Sequence, residues 1–520
     1  MIDLKKNWMQ ISQRQRMSPF PNYMSMECIT RDMKKHVGVV YRDTVLILQE
    51  NNFHVFIDKD DHIRVGKTVL KKVIANPNLF VQYEKRLKGY ANSFYAFLKK
   101  NNNQKRLKTV SESRLAFLHE EYNRRYKQIY SLYFPILSVE NYLFEYLQSY
   151  INKREHNFKK AARYIDTLIT ARRAMVNRQE TISALKACER IKKNRSWMRL
   201  FQSKKAVQSI AKNKKLYQLI KNHERTWYWI TRDYDDPVLT FEDFTLRFKR
   251  HLRRDPARAL KKMYSEELEL KKKITAIVKR LRIDKKHRRL FQTMREGIHY
   301  KEYRKSVVSQ SLFLYDPILK EIARRAGLSL RQVRHIRVEE VRSLLAQTVD
   351  ISHELNERIK LSVWHAQRGK AKVYVGKQAQ KYFNSFVKIN KDAKVLQGMA
   401  VSPGITKGPV KIVINPDAFH KVKKGDIIAT LQATPVFTHV LSIASGLICD
   451  GGPGITSHPA TLAREAGIPG IIGLRMATKI LKDGQIVEVD GDKGIVKIKA
   501  ERNLGELRSE NIKCPRPSND

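Results

Sequence analysis

The residues best suited to chemistry stand together: Gly451-Gly-Pro-Gly454, then Ile455, Thr456, Ser457 and His458, followed by Pro459 and a short run ending at Gly467. Clustered Gly and Pro interrupt both strands and helices and make a tight loop. Pro459 suits the first turn of a helix, where its missing N–H costs little. Residues 460–466 are mostly good helix formers. Gly467 stands where a glycine ends a helix, with Pro469 just beyond. The spacing predicts loop, helix, strand, with His458 at the helix N-cap. Backbone N–H groups and the helix dipole favour an anion at such a place. A neutral imidazole there is a nucleophile near pH 7. With Gly452 and Gly454 behind it and the hydroxyls of Thr456 and Ser457 beside it, His458 has the means to carry a phosphoryl group on its ring. Arg464, six residues on, either faces that phosphate or pairs elsewhere.

This stretch resembles the signature of the phosphohistidine swivelling (mobile) domain of the PEP-utilising enzymes, as in phosphoenolpyruvate synthase, pyruvate phosphate dikinase and rifampicin phosphotransferase. Thr456-Ser-His458, Ala463-Arg-Glu-Ala-Gly-Ile-Pro469 and Gly473 carry the resemblance. It continues upstream in Gly398-Met-Ala-Val-Ser-Pro-Gly404, Gly408-Pro-Val-Lys-Ile-Val413, Lys424-Gly-Asp-Ile-Ile428 and Thr434-Pro435. Downstream it runs through Leu481-Lys-Asp-Gly484, Val489-Asp-Gly491 and Gly494. Pro453-Gly454 stands where the family usually has adjacent glycines, and Pro459 where it has alanine.

The resemblance implies that His458 is the phosphohistidine carrier. It places Thr456, Ser457, Gly454, Gly452 and Arg464 in the phosphate loop or in positioning roles. It further implies that an ATP-grasp domain charges the histidine from ATP with Mg²⁺ and that the group then moves to a second site. No glycine-rich nucleotide loop is read in residues 1–393, and no metal site is read anywhere in the chain. The expectation is therefore a phosphotransferase component. ATP and Mg²⁺ would be held by a separate ATP-grasp protein acting in trans, and an acceptor, anionic in character, would bind near the helical region. A weaker resemblance, to the helices preceding that domain in rifampicin-phosphotransferase-like proteins, runs through Arg295-Glu296, residues 319–328, residues 338–345 and Glu357-Arg358. Arg295 and Glu296 themselves read as an exposed helix face.

The elements around the site read as a multidomain protein, with a large, mainly α-helical N-terminal region followed by a compact α/β swivelling domain. Residues 1–80 read as a small mixed α/β region. In it, 53–57 and 62–65 form a hairpin about Asp58-Lys-Asp-Asp61, an acidic turn without the ligand pattern of a calcium loop. Residues 81–388 read as a basic helical domain. Leu115, Leu118, Tyr122, Tyr126, Ile129, Tyr130 and Tyr133 recur at three- and four-residue steps. Pro135 and Pro237 read as helix breaks, Thr240–Asp243 as a capping box and Asp255-Pro256 as a helix start. Residues 225–234 interleave arginines with aromatics. They read as a helix burying Trp227, Ile230 and Tyr234 rather than as a base-stacking surface. Residues 389–397 read as a hinge, 398–500 as the swivelling domain and 501–520 as a polar tail. Within the swivelling domain, strands are expected at 410–414, 426–430, 446–449, 470–473, 485–489 and 495–498, and helices at 438–445 and 459–466.

Charge and cysteine use bound the function. The net charge of the 520 residues is +51, and +46 of it lies in residues 1–393. Such an excess attracts nucleic acid, acidic proteins or phosphorylated ligands, although a dispersed basic surface accounts for it equally well. The alternative reading is thus a nucleic-acid- or ribosome-binding protein, or a regulatory subunit, with an inactive phosphohistidine domain; Pro453 and Pro459 speak for it. Cys28, Cys188, Cys449 and Cys514 are scattered, against a zinc ribbon or disulfide framework and in keeping with a reducing cytoplasm. No apolar run is long enough to span a membrane, and the first residues carry no apolar export stretch. A cytoplasmic location is expected.

Overall fold

In the N-terminal part, β1 (Trp8–Gln15), β2 (Asp43–Gln49), β3 (Asn52–Asp58), β4 (Leu361–Gln367) and β5 (Lys370–Tyr374) form one sheet in the order β1-β3-β2-β4-β5. This computed structural model describes residues 1–15, 19–50, 52–171, 176–230, 238–387, 393–433, 435–452, 454–455, 457–474 and 476–498. Met1–Met9 and Gln15–Phe383 make one compact unit, and Gln10–Arg14 with the chain from Asn384 make a second. Val45, Leu46, Ile47 and Leu48 of β2 are fully buried, as an apolar run must be when both faces of its strand are covered. β2 pairs antiparallel with β3 on one side and β4 on the other. Residues 1–80 are therefore not a separate region, because their sheet is completed by strands from residues 361–374.

The hairpin expected over residues 53–65 is a strand-to-helix junction. Asp58 caps α1 (Lys59–Ala75) by accepting from the N–H of Asp60 at 3.0 Å, and Asp60 and Asp61 occupy the first turn. Carboxylates are stabilising at that end of a helix. Val65, Val69 and Val73 then fall on its buried face. The hairpin is the β2–β3 pair, which turns through Glu50 at φ 53°.

Three long helices, α2 (Leu79–Asn101), α3 (Glu112–Asn152) and α4 (Lys285–Arg325), pack on one another. The periodic residues do what their spacing predicts: Leu115, Leu118, Tyr122, Tyr126 and Ile129 are at most 1 % exposed, and Tyr122 stacks on Tyr315 with ring centroids 3.9 Å apart. Pro135 does not break the helix. It lies inside α3 and is buried. It removes one hydrogen bond, and apolar packing on either side carries the helix through it. Thr240 and Asp243 form the expected capping box, and Asp255 caps the helix Pro256–Arg280. The helix Lys214–Trp227 ends at Trp227, which packs on the cluster of Ile220, Phe244 and Phe248. Tyr234 and Pro237 lie outside the described residues. Arg358, 1 % exposed, bonds Glu340, Glu354 and the carbonyl of His335 at 2.6–3.0 Å.

The second unit is a mixed sheet of β6 (Val395–Gln397), β7 (Met399–Ser402), β8 (Ile405–Ile412), β9 (Ile427–Thr430), β10 (Gly446–Cys449), β11 (Gly470–Ile472), β12 (Ile486–Asp490) and β13 (Ile495–Ile498). Their order is β6-β13-β12-β8-β9-β10-β11-β7. β8, β9, β10 and β11 run parallel, with α5 (His458–Ala466) crossing from β10 to β11. Val395–Gln397 pair with β13. The expected hinge thus loses its last three residues to the sheet, and residues 388–392 and 499–520 lie outside the described residues. Among the described residues no helix is long and apolar enough to cross a membrane.

Among the histidines of the first unit, His119 is buried beside Tyr315, His335 is buried beside the Arg331 carbonyl, and His62 is half-buried beside Tyr41. Desolvation pushes His119 down to about 3 and His335 and His62 down to about 4. A depressed folded value means stability that is full above the ordinary value of 6.5 and lost as pH falls toward the folded value. All five tryptophans lie before residue 384, so their fluorescence reports this unit. Its urea stability should fall from pH 6.5 to 5 by up to ~1.4 kcal/mol per pH unit for each histidine. A flat profile over that window would contradict the neutral, desolvated state of these rings.

Candidate functional site

The loop after β10 is held at its root. Asp450, 2 % exposed, accepts from the N–H of Ala477 at 2.5 Å and from the N–H and hydroxyl of Thr478. Burial holds its carboxyl above the ordinary value even against these donors. The Gly451 N–H donates to Leu431 O at 2.9 Å, and Gly451 O accepts from the Gly473 N–H at 3.3 Å. The loop therefore leaves the sheet between the ends of β9 and β11. Gly452 has φ 114°, and a Cβ there would stand 3.0 Å from Ile472 Cδ1 and 3.3 Å from Ser457 Oγ. Only glycine fits both the backbone angle and the space.

The Ser457 N–H donates to Gly454 O at 2.9 Å, closing the turn. Ser457, not His458, is the N-cap. It is extended at φ −66°, ψ 158°, and its carbonyl accepts the first helical bond from Thr461 at 3.0 Å. His458 is the first helical residue and Pro459 follows it, so the expected N-cap moves by one position. Ser457 Oγ makes no capping bond; it is buried without a hydrogen-bond partner. His458 is half-buried. Gly467, at φ 69°, ends the helix as its place in the sequence predicts. Gly452, Gly454, Ser457 and His458 thus come together in one loop, whereas Thr456 and Pro453 lie outside the described residues.

Arg464 Nη1 donates to Val401 O of β7 at 3.1 Å, a bond that ties α5 to the sheet. Two further residues position the site without having been read from the sequence. One is Asp450, which fixes the loop root. The other is Gly470, where a Cβ would lie 2.6 Å from Ala463 Cβ. Small residues at both places let α5 lie directly on β11, and their smallness was the available signal. Among the described residues no group of three His, Cys, Asp or Glu side chains is placed to hold a metal ion.

Residues 422–494 match the family model of the PEP-utilising enzyme, mobile domain. The segment contains the loop, His458, α5 and β11. The chain is similar to a probable phosphoenolpyruvate synthase of Archaeoglobus fulgidus, 43 % identical over 102 residues, which is 20 % of this chain and 13 % of that protein. It is 32 % identical to an uncharacterized phosphotransferase, YvkC, of Bacillus subtilis over 169 residues, 31 % of this chain and 20 % of that one. It is 26 % identical to rifampicin phosphotransferase of Bacillus cereus over 221 residues, 41 % of this chain and 24 % of that one. The chain spans a quarter or less of the length of these relatives. A match of 221 residues is longer than the second unit and so reaches into the helical one, where the weaker resemblance was read. Arg295 and Glu296 there are not an exposed face. Arg295 donates to Leu168 O, and Glu296 pairs with Arg289 at 2.8 Å.

Gly470→Val should lift α5 from β11, lowering the stability of the second unit by about 1–3 kcal/mol and speeding hydrogen exchange in peptides covering residues 458–467. Unchanged exchange in those peptides would remove Gly470 from the positioning of His458.

Proposed function

We propose that this chain is a phosphotransferase component in which His458 carries a phosphoryl group from a nucleotide to an acceptor. The observation that supports this most is the place of His458. It is the first helical residue after a glycine loop, within the segment similar to the PEP-utilising enzyme mobile domain. The named functions of the relatives, phosphoenolpyruvate synthase and rifampicin phosphotransferase, point the same way.

In the charging step a ring nitrogen of neutral His458 attacks phosphorus. The N–P bond forms as the bond to the leaving phosphate oxygen breaks, and the ring proton passes to solvent or base. Amides of the glycine loop and the dipole of α5 stabilise the oxygens of the group in flight. In this reading the hydroxyls of Ser457 and Thr456 help to position the ring or the phosphate. In the delivery step an acceptor nucleophile bonds phosphorus and gives up its proton to solvent or base, the N–P bond breaks, and the ring nitrogen takes up a proton so that the imidazole returns neutral. ATP and Mg²⁺ belong, in this reading, to a separate ATP-grasp protein acting in trans. The acceptor belongs to the helical unit, whose positive charge suits an anionic molecule.

Purified protein incubated with β- or γ-labelled ATP and a source-cell extract should take up acid-labile, base-stable label. The label should be absent from His458→Ala and absent when the extract is omitted. Label that persists in the variant, or none in a folded protein with an extract that charges other phosphohistidine proteins, would sink this function.

A further inference from the structure

Residues 190–223 hold eleven lysines and arginines and no aspartate or glutamate. They build three consecutive helices, Arg195–Gln202, Ala206–Lys212 and Lys214–Trp227, the last two joined by Asn213 alone. Each helix buries one face. Phe201, Ala206, Ile210, Leu216 and Ile220 enter a common apolar cluster with Phe244 and Phe248. The opposite faces are left to solvent, as in any amphipathic helix. Their composition is what sets them apart.

The outer stripe of the helix Lys214–Trp227 consists of Lys214, Lys215, Gln218, Asn222, Arg225 and Thr226, all exposed. At 3.6 residues per turn these positions fall within an arc of about 120°. The stripe carries three cations and no carboxylate. Lys221 at its margin pairs with Glu224 at 2.6 Å; among the described residues Lys214, Lys215 and Arg225 pair with no carboxylate. The preceding helices repeat the pattern on a smaller scale. Arg195, Arg199 and Gln202 are exposed on one, Gln208 and Lys212 on the other.

The cations are placed against the interest of the helices that carry them. None of the three helices has an acidic residue in its first turn. Arg195, Lys214 and Lys215 stand there instead, where the dipole disfavours positive charge. The helix Phe241–Leu252, packed on the same cluster, has the stabilising order, with Glu242 and Asp243 in its first turn and Lys249 and Arg250 in its last. The bundle therefore does not impose the inversion. A bound polyanion offsets it, because cations and helix N-termini then attract the same phosphates.

Shape and side-chain type decide which polyanion. The major groove of B-DNA is wide enough for an α-helix, and the stripe from Lys214 to Arg225 is about 17 Å long. Gln218 Nε2 donates to Asn222 Oδ1 at 2.6 Å. This leaves Gln218 Oε1 and Asn222 Nδ2 as an acceptor and a donor, the complement of an adenine edge in that groove. Duplex RNA has a major groove too deep and narrow for such a helix. Single strands are held by stacking on aromatic side chains, and the stripe has none; Trp227 packs inward on the cluster.

We propose that the helix Lys214–Trp227 docks in the major groove of double-stranded DNA, with Lys214, Lys215 and Arg225 on phosphates and Gln218 and Asn222 toward base edges. Docking needs neither ATP nor His458, so this inference and the labelling experiment fail separately.

The test is fluorescence anisotropy of the full chain with a labelled DNA duplex of about 20 base pairs, in which saturable binding of roughly micromolar affinity is expected, weakening steeply with salt. Lys214→Ala/Lys215→Ala should weaken it at least about tenfold and lower the slope of log affinity against log salt by about two. Lys99→Ala/Lys100→Ala removes the same charge from two exposed lysines of α2 and should stay within about twofold of the parent, as should His458→Ala. Absence of saturable binding, or equal losses in the two double variants, overturns the proposal. So does equal or tighter binding of duplex RNA or single-stranded DNA of the same sequence. Competition by polyglutamate as effective as that by duplex DNA also overturns it and would assign the surface to an acidic protein.

Discussion

The close approach of Ala463 to Gly470 is the constraint from which the rest of the candidate site follows. A helix that lies against its strand with no side chain between them cannot slide or rotate far. Arg464 reaching Val401 and the left-handed turn at Gly467 fix its far end. The near end is then determined: the loop from β10 must close the remaining distance, and Asp450, Gly451 and Gly452 permit one path. The position of His458 at the start of the helix is thereby set by packing and backbone bonds on both sides of it.

The two units rest on different physics. The second is built from aliphatic clusters, Val410, Ile427, Ile448, Val487 and Val489 on one side of the sheet and Val440, Leu441, Leu447 and Leu462 on the other. Such cores are non-directional and indifferent to pH. The first unit buries tyrosines, histidines and arginines whose polar atoms need partners at particular angles. Arg358 with Glu340 and Glu354 is the clearest case. Arg304 bonded to Tyr130 and lying 4.0 Å from the ring centroid of Tyr133 is another. Directional contacts of this kind favour one arrangement over its neighbours more than they add net stability.

Much of the site was legible because its signals are local. Gly451–Gly454, Pro459 and Gly467 each constrain a backbone angle within a few residues, and the loop, helix and strand came out in order. The N-cap shifted by one because Ser457 and His458 can both stand before a proline in the first turn, and only the hydrogen bond from Thr461 decides between them. Asp58 was ambiguous for a similar reason, since the same carboxylate serves a hairpin turn and a helix start. Pro135 misled because a local rule was overridden by aromatic packing spread over a 41-residue helix. The pairing of β2 with β4 had no local signature at all, and β6 and β7 are too short, at three and four residues, to show a period.

That pairing of β2 bears on how the protein is made. β2 meets β3 almost at once, with Gln49 opposite Asn52, but its other edge waits for Asp43 to find Gln367. At about 5–20 residues per second, a ribosome needs on the order of 16–65 seconds to synthesise the intervening stretch. Throughout that interval the run from Val45 to Leu48 has one edge unpaired, an open template for any other extended chain. The long helices emerge in the meantime and are the first parts able to cover its faces. Biogenesis of this protein is therefore a race between shielding and aggregation, and the burden on holding chaperones falls on the nascent N-terminal sheet rather than on the domain that carries His458.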